Sequence, residues 1–236
     1  MPTQPASDLP ETASPVLKPV RSRKLQSLAS QIYEHLRRDI VHGRLAPQTK
    51  LVELEVAAQM GTSQGPVREA FQHLERDGLV ERRARTATYV TSLSPGEIYE
   101  YFMIRSVVEG YAIRRAVQHI SPDQIQELET LVGQMRDAGR RDDLYALVDQ
   151  DMVFHRRICE WSGSAVLLNT WLPLSAHIHR FVAQTHRRYF PDLVELANTH
   201  VPILEALRLG DADVARRAIQ EHVMLIWSYI DPQSKL

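Results

Sequence analysis

From Leu25 onward, apolar residues recur at helical spacing. Leu28, Ile32, Leu36, Ile40 and Val41 lie on one side, and Gly43 supplies a stop, which predicts one amphipathic helix. After the Leu45-Ala46-Pro47 turn, a short helix is predicted over 53–60 with Val56 and Ala57 inside, ended by Gly61. Ser63 then reads as the N-cap of a second helix, with Pro66 in its first turn, where a missing N–H costs little. That helix runs to about Asp77 with Val67, Ala70, Phe71 and Leu74 on its apolar side, and Gly78 closes it. Residues 79–82 and 88–91 have strand character and are joined by the basic Arg83-Ala84-Arg85 connection. Two helices joined by a short glycine turn and followed by a hairpin make a winged helix-turn-helix.

A different pattern begins at Ser94-Pro95-Gly96-Glu97, where Ser94 and Glu97 have the spacing of a capping box. Ser121-Pro122-Asp123-Gln124 repeats the start signal, and further helices are predicted near 143–161, 166–185, 193–209 and 211–230 with no strand pattern between them. The fold class is therefore mainly α: an N-terminal winged helix-turn-helix over 23–92, and an antiparallel all-helical bundle of six or seven helices over 93–232. Residues 1–22, rich in Pro, Ser and Thr, offer too little periodic apolar content to offset the entropy of ordering and read as a disordered tail.

Composition changes this picture in two places. The formal net charge of −1 hides an uneven distribution: 23–92 holds eleven Lys/Arg against eight Asp/Glu, whereas the chain beyond Ser92 holds fifteen against nineteen. The N-terminal unit is thus the candidate for phosphate contact. No apolar run approaches the roughly 18 residues that span a bilayer, and Cys159 alone makes no intrachain disulfide. Together with an N-terminus unlike a secretory signal, this gives the expectation of a cytoplasmic protein without membrane contact.

The run from Thr62-Ser63-Gln64-Gly65-Pro66-Val67-Arg68-Glu69-Ala70 to Asp77-Gly78-Leu79-Val80 closely resembles the recognition-helix region of the GntR family of bacterial repressors. Asp151-Met152-Val153-Phe154-His155 and the later Glu221-His222 resemble the FCD effector domain of that family. The resemblance implies a transcriptional regulator, a repressor in the first instance, acting as a homodimer on a pseudo-palindromic double-stranded operator, and not an enzyme. On this reading Ser63, Gln64, Gly65 and Arg68 face DNA, and Arg82, Arg83 and Arg85 of the wing contact phosphate; otherwise they are solvated surface residues. The chain departs from the family at Gln64 and Leu54, where basic residues are common, and at the wing tip, Arg85-Thr86-Ala87-Thr88, where a glycine is usual. Base preference does not carry over.

Asp151 and His155, four apart on a predicted helix, share a face. With His200 and His222, at positions matching the FCD pattern, they offer three imidazoles and a carboxylate, a set suited to zinc, or to nickel or manganese, with positions left open. The alternative is that these are ordinary core histidines. The expected effector is a small organic acid meeting Arg105, with His177 beside it, while the competing reading of Arg105 is an exposed pair with Glu109. Two other functions stay open: a constitutive DNA-binding dimer with a structural helical domain, and a metallohydrolase. The second lacks a His-Glu-x-x-His helix, a nucleophile elbow or a phosphate loop.

Overall fold

The computed structural model describes residues 27–83 and 87–230, so the tail expected over 1–22 and Arg85 at the wing tip lie outside the described residues. The first unit runs α1 (Leu28–Val41), β1 (Lys50–Leu51), α2 (Glu53–Gln59), α3 (Gln64–Arg76), β2 (Val80–Arg83) and β3 (Ala87–Val90). The apolar side of α3 is Val67, Ala70, Phe71 and Leu74, all buried against α1 and the sheet. Ser63 stands at its N-cap in extended backbone, yet its hydroxyl accepts no bond from the helix.

The hairpin lies one residue away from the predicted strands at each limb. It gains a third strand that the pattern did not predict, because β1 pairs antiparallel with β3, Lys50 opposite Tyr89 and Leu51 opposite Thr88, in the order β1-β3-β2. Two residues carry no legible alternation. They are placed by a turn: Gln48 adopts a left-handed φ of 67° and donates its N–H to the Val90 carbonyl at 2.8 Å.

The second unit is a bundle of seven helices: α4 (Pro95–Ala116), α5 (Pro122–Arg140), α6 (Leu144–Trp161), α7 (Ala165–Tyr189), α8 (Leu193–Asn198), α9 (Val201–Leu209) and α10 (Ala212–Ile230). Both capping boxes form, Ser94 with Glu97 and Ser121 with Gln124. The single helix expected over 193–209 is instead broken at Thr199 and His200. Pro202 is the cause. It has no N–H for the carbonyl of Asn198, and its ring would collide with that carbonyl in a continuous helix. Asn198 therefore ends α8, and His200 becomes the N-cap of α9.

Buried apolar side chains fall into two clusters, one centred on the winged unit and a larger one centred on the bundle, which Val41 at the end of α1 also joins. Helix α7 serves both. Ala176 is buried with Ile32, Leu36 and Leu74 in the first cluster, while Trp171 and Val182 belong to the second.

Candidate functional site

Four ligand-type side chains converge inside the bundle. Asp151 and His155 project from one face of α6, His200 sits at the break between α8 and α9, and His222 comes from α10, with one donor atom of each within 4.8 Å of the others. His155 and His200 are fully buried and Asp151 is nearly so.

Hydrogen bonds on the far side of each ring fix which nitrogen carries the proton. His200 Nδ1 lies 3.1 Å from the Ala197 carbonyl and His222 Nδ1 lies 3.2 Å from the Thr199 carbonyl. A carbonyl only accepts, so both Nδ1 atoms are protonated and both Nε2 atoms present lone pairs. His155 Nδ1 lies 2.6 Å from Glu109 Oε2. Glu109 also accepts from Arg105 Nε and Trp171 Nε1, each at 2.6 Å. Burial alone would raise the Glu109 carboxyl; Arg105 and His155 overcome it and hold it down at about 2. It is an ionised acceptor, so His155 likewise donates from Nδ1 and turns an unprotonated Nε2 inward.

The break caused by Pro202 supplies the carbonyls that do this. In a continuous helix Thr199 O would take the N–H of Ile203; here that N–H bonds His200 O at 3.1 Å, leaving Thr199 O for His222.

The outcome is a cluster of acceptors facing one another. His155 Nε2 and His222 Nε2 lie 3.2 Å apart, and His200 Nε2 lies 2.9 Å from Asp151 Oδ1 without the geometry of a hydrogen bond, remaining unpartnered. Burial opposes the charged form of Asp151; the surrounding imidazoles, where protonated, and the permanent charge of Arg105 lower its carboxyl. Burial pushes the His155 and His222 imidazoles down, which keeps them neutral, the form that ligates metal. Three lone pairs and a carboxylate without a shared proton fit a cation.

Arg105 is buried and combines the two readings offered for it: it pairs with Glu109 one turn along α4, yet on an interior face, and its Nη2 has no partner. It lines a small cavity with Phe102, Asp151, His186, Thr199 and His222. That cavity has a volume of about 30 Å³, room for water but not for an organic acid, so an acid enters only if the lining side chains separate.

His177 is not in that lining. Its ring packs at a tilt against Tyr101, centroids 4.6 Å apart, and its Nε2 stands against the place a Cβ at Gly78 would take, so it packs where the bundle meets the winged unit. The α7 histidine that does line the cavity is His186, pushed down to about 4 by burial. Its position eight before Val194 offers no motif; the signal was its place four after Val182 and four before Phe190, on the inward row of α7.

On the winged unit, Ser63, Gln64, Gly65 and Arg68 are all exposed at the start of α3. A Cβ at Gly65 would meet nothing nearer than Ser63 Oγ at 4.0 Å, so the protein's own packing does not demand the glycine. Gln64, Arg68, Arg82, Thr88 and Glu53 line one open groove. Arg68 is held side-on by Glu53, with Nε at 3.0 Å and Nη2 at 2.8 Å from Oε2, while Arg82 Nη2 approaches the same carboxylate at 3.7 Å. Arg83 pairs with Glu81 and lies over the Tyr89 ring at 5.0 Å.

The comparisons match this division. The description "Bacterial regulatory proteins, gntR family" covers residues 28–90 and the FCD domain covers 98–224. The HTH-type transcriptional repressor RspR of Escherichia coli (strain K12) is 33% identical over 201 residues, which is 85% of this chain and 88% of that protein. A protein of Paenarthrobacter nicotinovorans named "Probable D-xylose utilization operon transcriptional repressor" is 32% identical over 197 residues, 84% of this chain and 86% of its own. Among solved structures, E. coli McbR/YncC superposes with a TM-score of 0.75 at 22% identity, covering 89% of this chain and 99% of that one, and so shares the fold. Among the described residues no helix is long and apolar enough to cross a membrane. With both domains matched and relatives that are regulators rather than enzymes, the chain belongs to the GntR family of DNA-binding transcriptional regulators, in the branch that carries an FCD domain.

Proposed function

We propose that the chain is a cytoplasmic, homodimeric repressor whose operator affinity is set by a small carboxylate bound beside a divalent metal ion in the helical domain. The observation that carries this reading is the convergence of three unprotonated Nε2 atoms on Asp151. Asp151, His155, His200 and His222 would hold the ion, zinc first among zinc, nickel and manganese given nitrogen-rich ligands without a thiolate. A bound cation supplies positive charge that a carboxylate can meet. Arg105 adds to that charge, and its unpartnered Nη2 is the protein's own donor to the acid. On the other unit, the first turn of α3, with Ser63, Gln64, Gly65 and Arg68, would enter the major groove, and Arg82 and Arg83 would meet phosphates. We divide the chain functionally into the winged unit over 23–92 and the sensing and dimerising unit over 93–232.

The test is metal analysis of tag-free protein beside His155→Ala and His222→Ala, followed by DNA binding with and without organic acids. About one ion per chain, lost in both variants, is the expected result. Metal that is sub-stoichiometric and unchanged by either substitution removes the site. The cavity of about 30 Å³ favours a second reading, in which the ion is structural and DNA binding is constitutive. That reading prevails if no acid changes operator affinity while metal removal unfolds the bundle.

A further inference from the structure

Helix α4 is apolar almost all the way round. Its inner faces carry Ile98, Phe102, Ala112 and Ile113 into the bundle against α6, α7 and α10. The one open row runs Glu100, Ile104, Val107, Tyr111 and Arg114, and Ile104, Val107 and Tyr111 on it are 48%, 62% and 55% exposed. A helix with apolar residues on every side is normally covered on every side. Along this row the spacing alternates four and three, the repeat by which two helices keep a common seam in contact.

The charges at the ends of the row say what covers it. Glu100 stands seven residues before Val107 and Arg114 seven residues after it. Glu100 has no ion-pair partner among the described residues, and Arg114 has only a 3.8 Å approach to exposed Asp213, which solvent screens and which is readily given up. We infer that this row is a two-fold seam, on which a second copy of the chain lays its own α4 antiparallel across Val107. A two-fold axis there sets Val107 on its own counterpart and brings each Glu100 opposite an Arg114 of the other copy. Parallel pairing would instead set Glu100 on Glu100 and Arg114 on Arg114, so charge selects the antiparallel arrangement.

This inference rests on the dimer proposed above and names its surface. It also has a structural consequence. Arg105 and Glu109, two residues to either side of Val107, point into the metal-side interior, so one helix carries both the seam and the effector-side arginine. A shift of α4 on ligand entry would then reach the relative placement of the two winged units.

The experiment uses the full chain. Sedimentation is measured for wild type, Val107→Glu, Glu100→Arg, Arg114→Glu and the double charge exchange, and Val107→Cys is treated with a short bismaleimide beside Gln126→Cys on α5 as control. Cys159 is buried and silent. The seam requires Val107→Glu and each single exchange to weaken the dimer by about tenfold or more, with recovery in the double exchange. It also requires cross-linked dimer from Val107→Cys alone. Metal content and helicity of Val107→Glu verify folding; if that variant misfolds, the charge-exchange rescue and the cross-link still decide. A wild-type dimer indifferent to the exchanges, with no cross-link at 107, overturns the seam and leaves the dimer standing. A wild-type monomer, both free and on DNA, removes the dimer and the seam together.

Discussion

Two of the protein's arginine–glutamate pairs stand in opposite surroundings. Arg68 and Glu53 meet on the exposed face of the winged unit, whereas Arg105 and Glu109 meet inside the bundle with 4% and 0% of their side chains exposed. In water, a pair of this kind gains little, because solvent screens the charges and holding two long side chains costs entropy. In the interior, desolvation is severe, and the pair persists only with further hydrogen bonds. Glu109 has them, from Trp171 and His155. Arg105 does not, since Nη2 stays unpartnered. The exposed pair thus fixes the direction of Arg68 at modest cost, and the buried pair leaves an Arg105 donor without a partner.

The sharpest way to break that contrast is to neutralise the buried acid. Glu109→Gln leaves the Arg105 charge buried without its counter-ion and should destabilise the bundle by about 3–5 kcal/mol, read from denaturant unfolding. Metal content should fall with it, because an amide can donate to His155 Nδ1 as readily as accept and no longer dictates the tautomer. Unchanged stability together with full metal content would mean that Glu109 neither balances Arg105 nor orients His155.

Acid provides the next largest effect. His186 is pushed down to about 4, so below the ordinary value of 6.5 the unfolded chain binds a proton that the folded chain refuses. Stability is fully present above 6.5 and declines as pH falls to about 4, a loss of about 3 kcal/mol from this group. The Glu109 carboxyl, depressed from 4.5 to about 2, continues the decline over that lower window. Metal-stripped protein unfolded at a series of pH values should show this slope in the bundle. A flat profile between pH 6.5 and 4 is incompatible with a neutral buried imidazole at 186.

Both sites were partly legible in the amino-acid sequence, for different reasons. Capping boxes at Ser94 and Ser121 and the apolar side of α3 are local features, and local spacing is enough to find them. The pair Asp151 and His155 is also local, one turn of α6. What escaped depends on how distant elements meet. The two-residue β1 exists only because β3 lies beside it. The choice between His177 and His186 depends on where α7 crosses from one core to the other, which periodicity along a single helix does not specify. Pro202 disfavours a continuous helix by its own chemistry, but that its break frees Thr199 O for His222 depends on α10 being in place.

On the exposed side the expected effects are smaller and fall on DNA rather than on stability. Arg68→Ala should leave the melting temperature within about 2 °C of wild type, since the lost pair is screened by water. It should weaken binding to a selected operator on the order of tenfold to a hundredfold if the guanidinium reads a base. Equal loss on operator and random duplex would reassign Arg68 from base reading to phosphate contact.

The smallest expected effect is the most discriminating for the role of the exposed pair. A guanidinium has two edges that can make paired hydrogen bonds, and Glu53 occupies the Nε and Nη2 edge of Arg68, leaving the Nη1 and Nη2 end facing outward. Such an end can meet the O6 and N7 acceptors of guanine. A carboxylate beside DNA repels phosphate, so its benefit has to lie in aiming the arginine. Glu53→Gln keeps an acceptor oxygen but removes the charge. Binding to random duplex should therefore strengthen, with a salt dependence steeper by about one phosphate contact, because one repulsive charge is gone. Preference for operator over random duplex should fall severalfold, because Arg68 is held less firmly. Anisotropy titrations on both duplexes at several salt concentrations measure the two quantities separately. If the preference is unchanged while random binding rises, Glu53 merely repels phosphate and does not position Arg68.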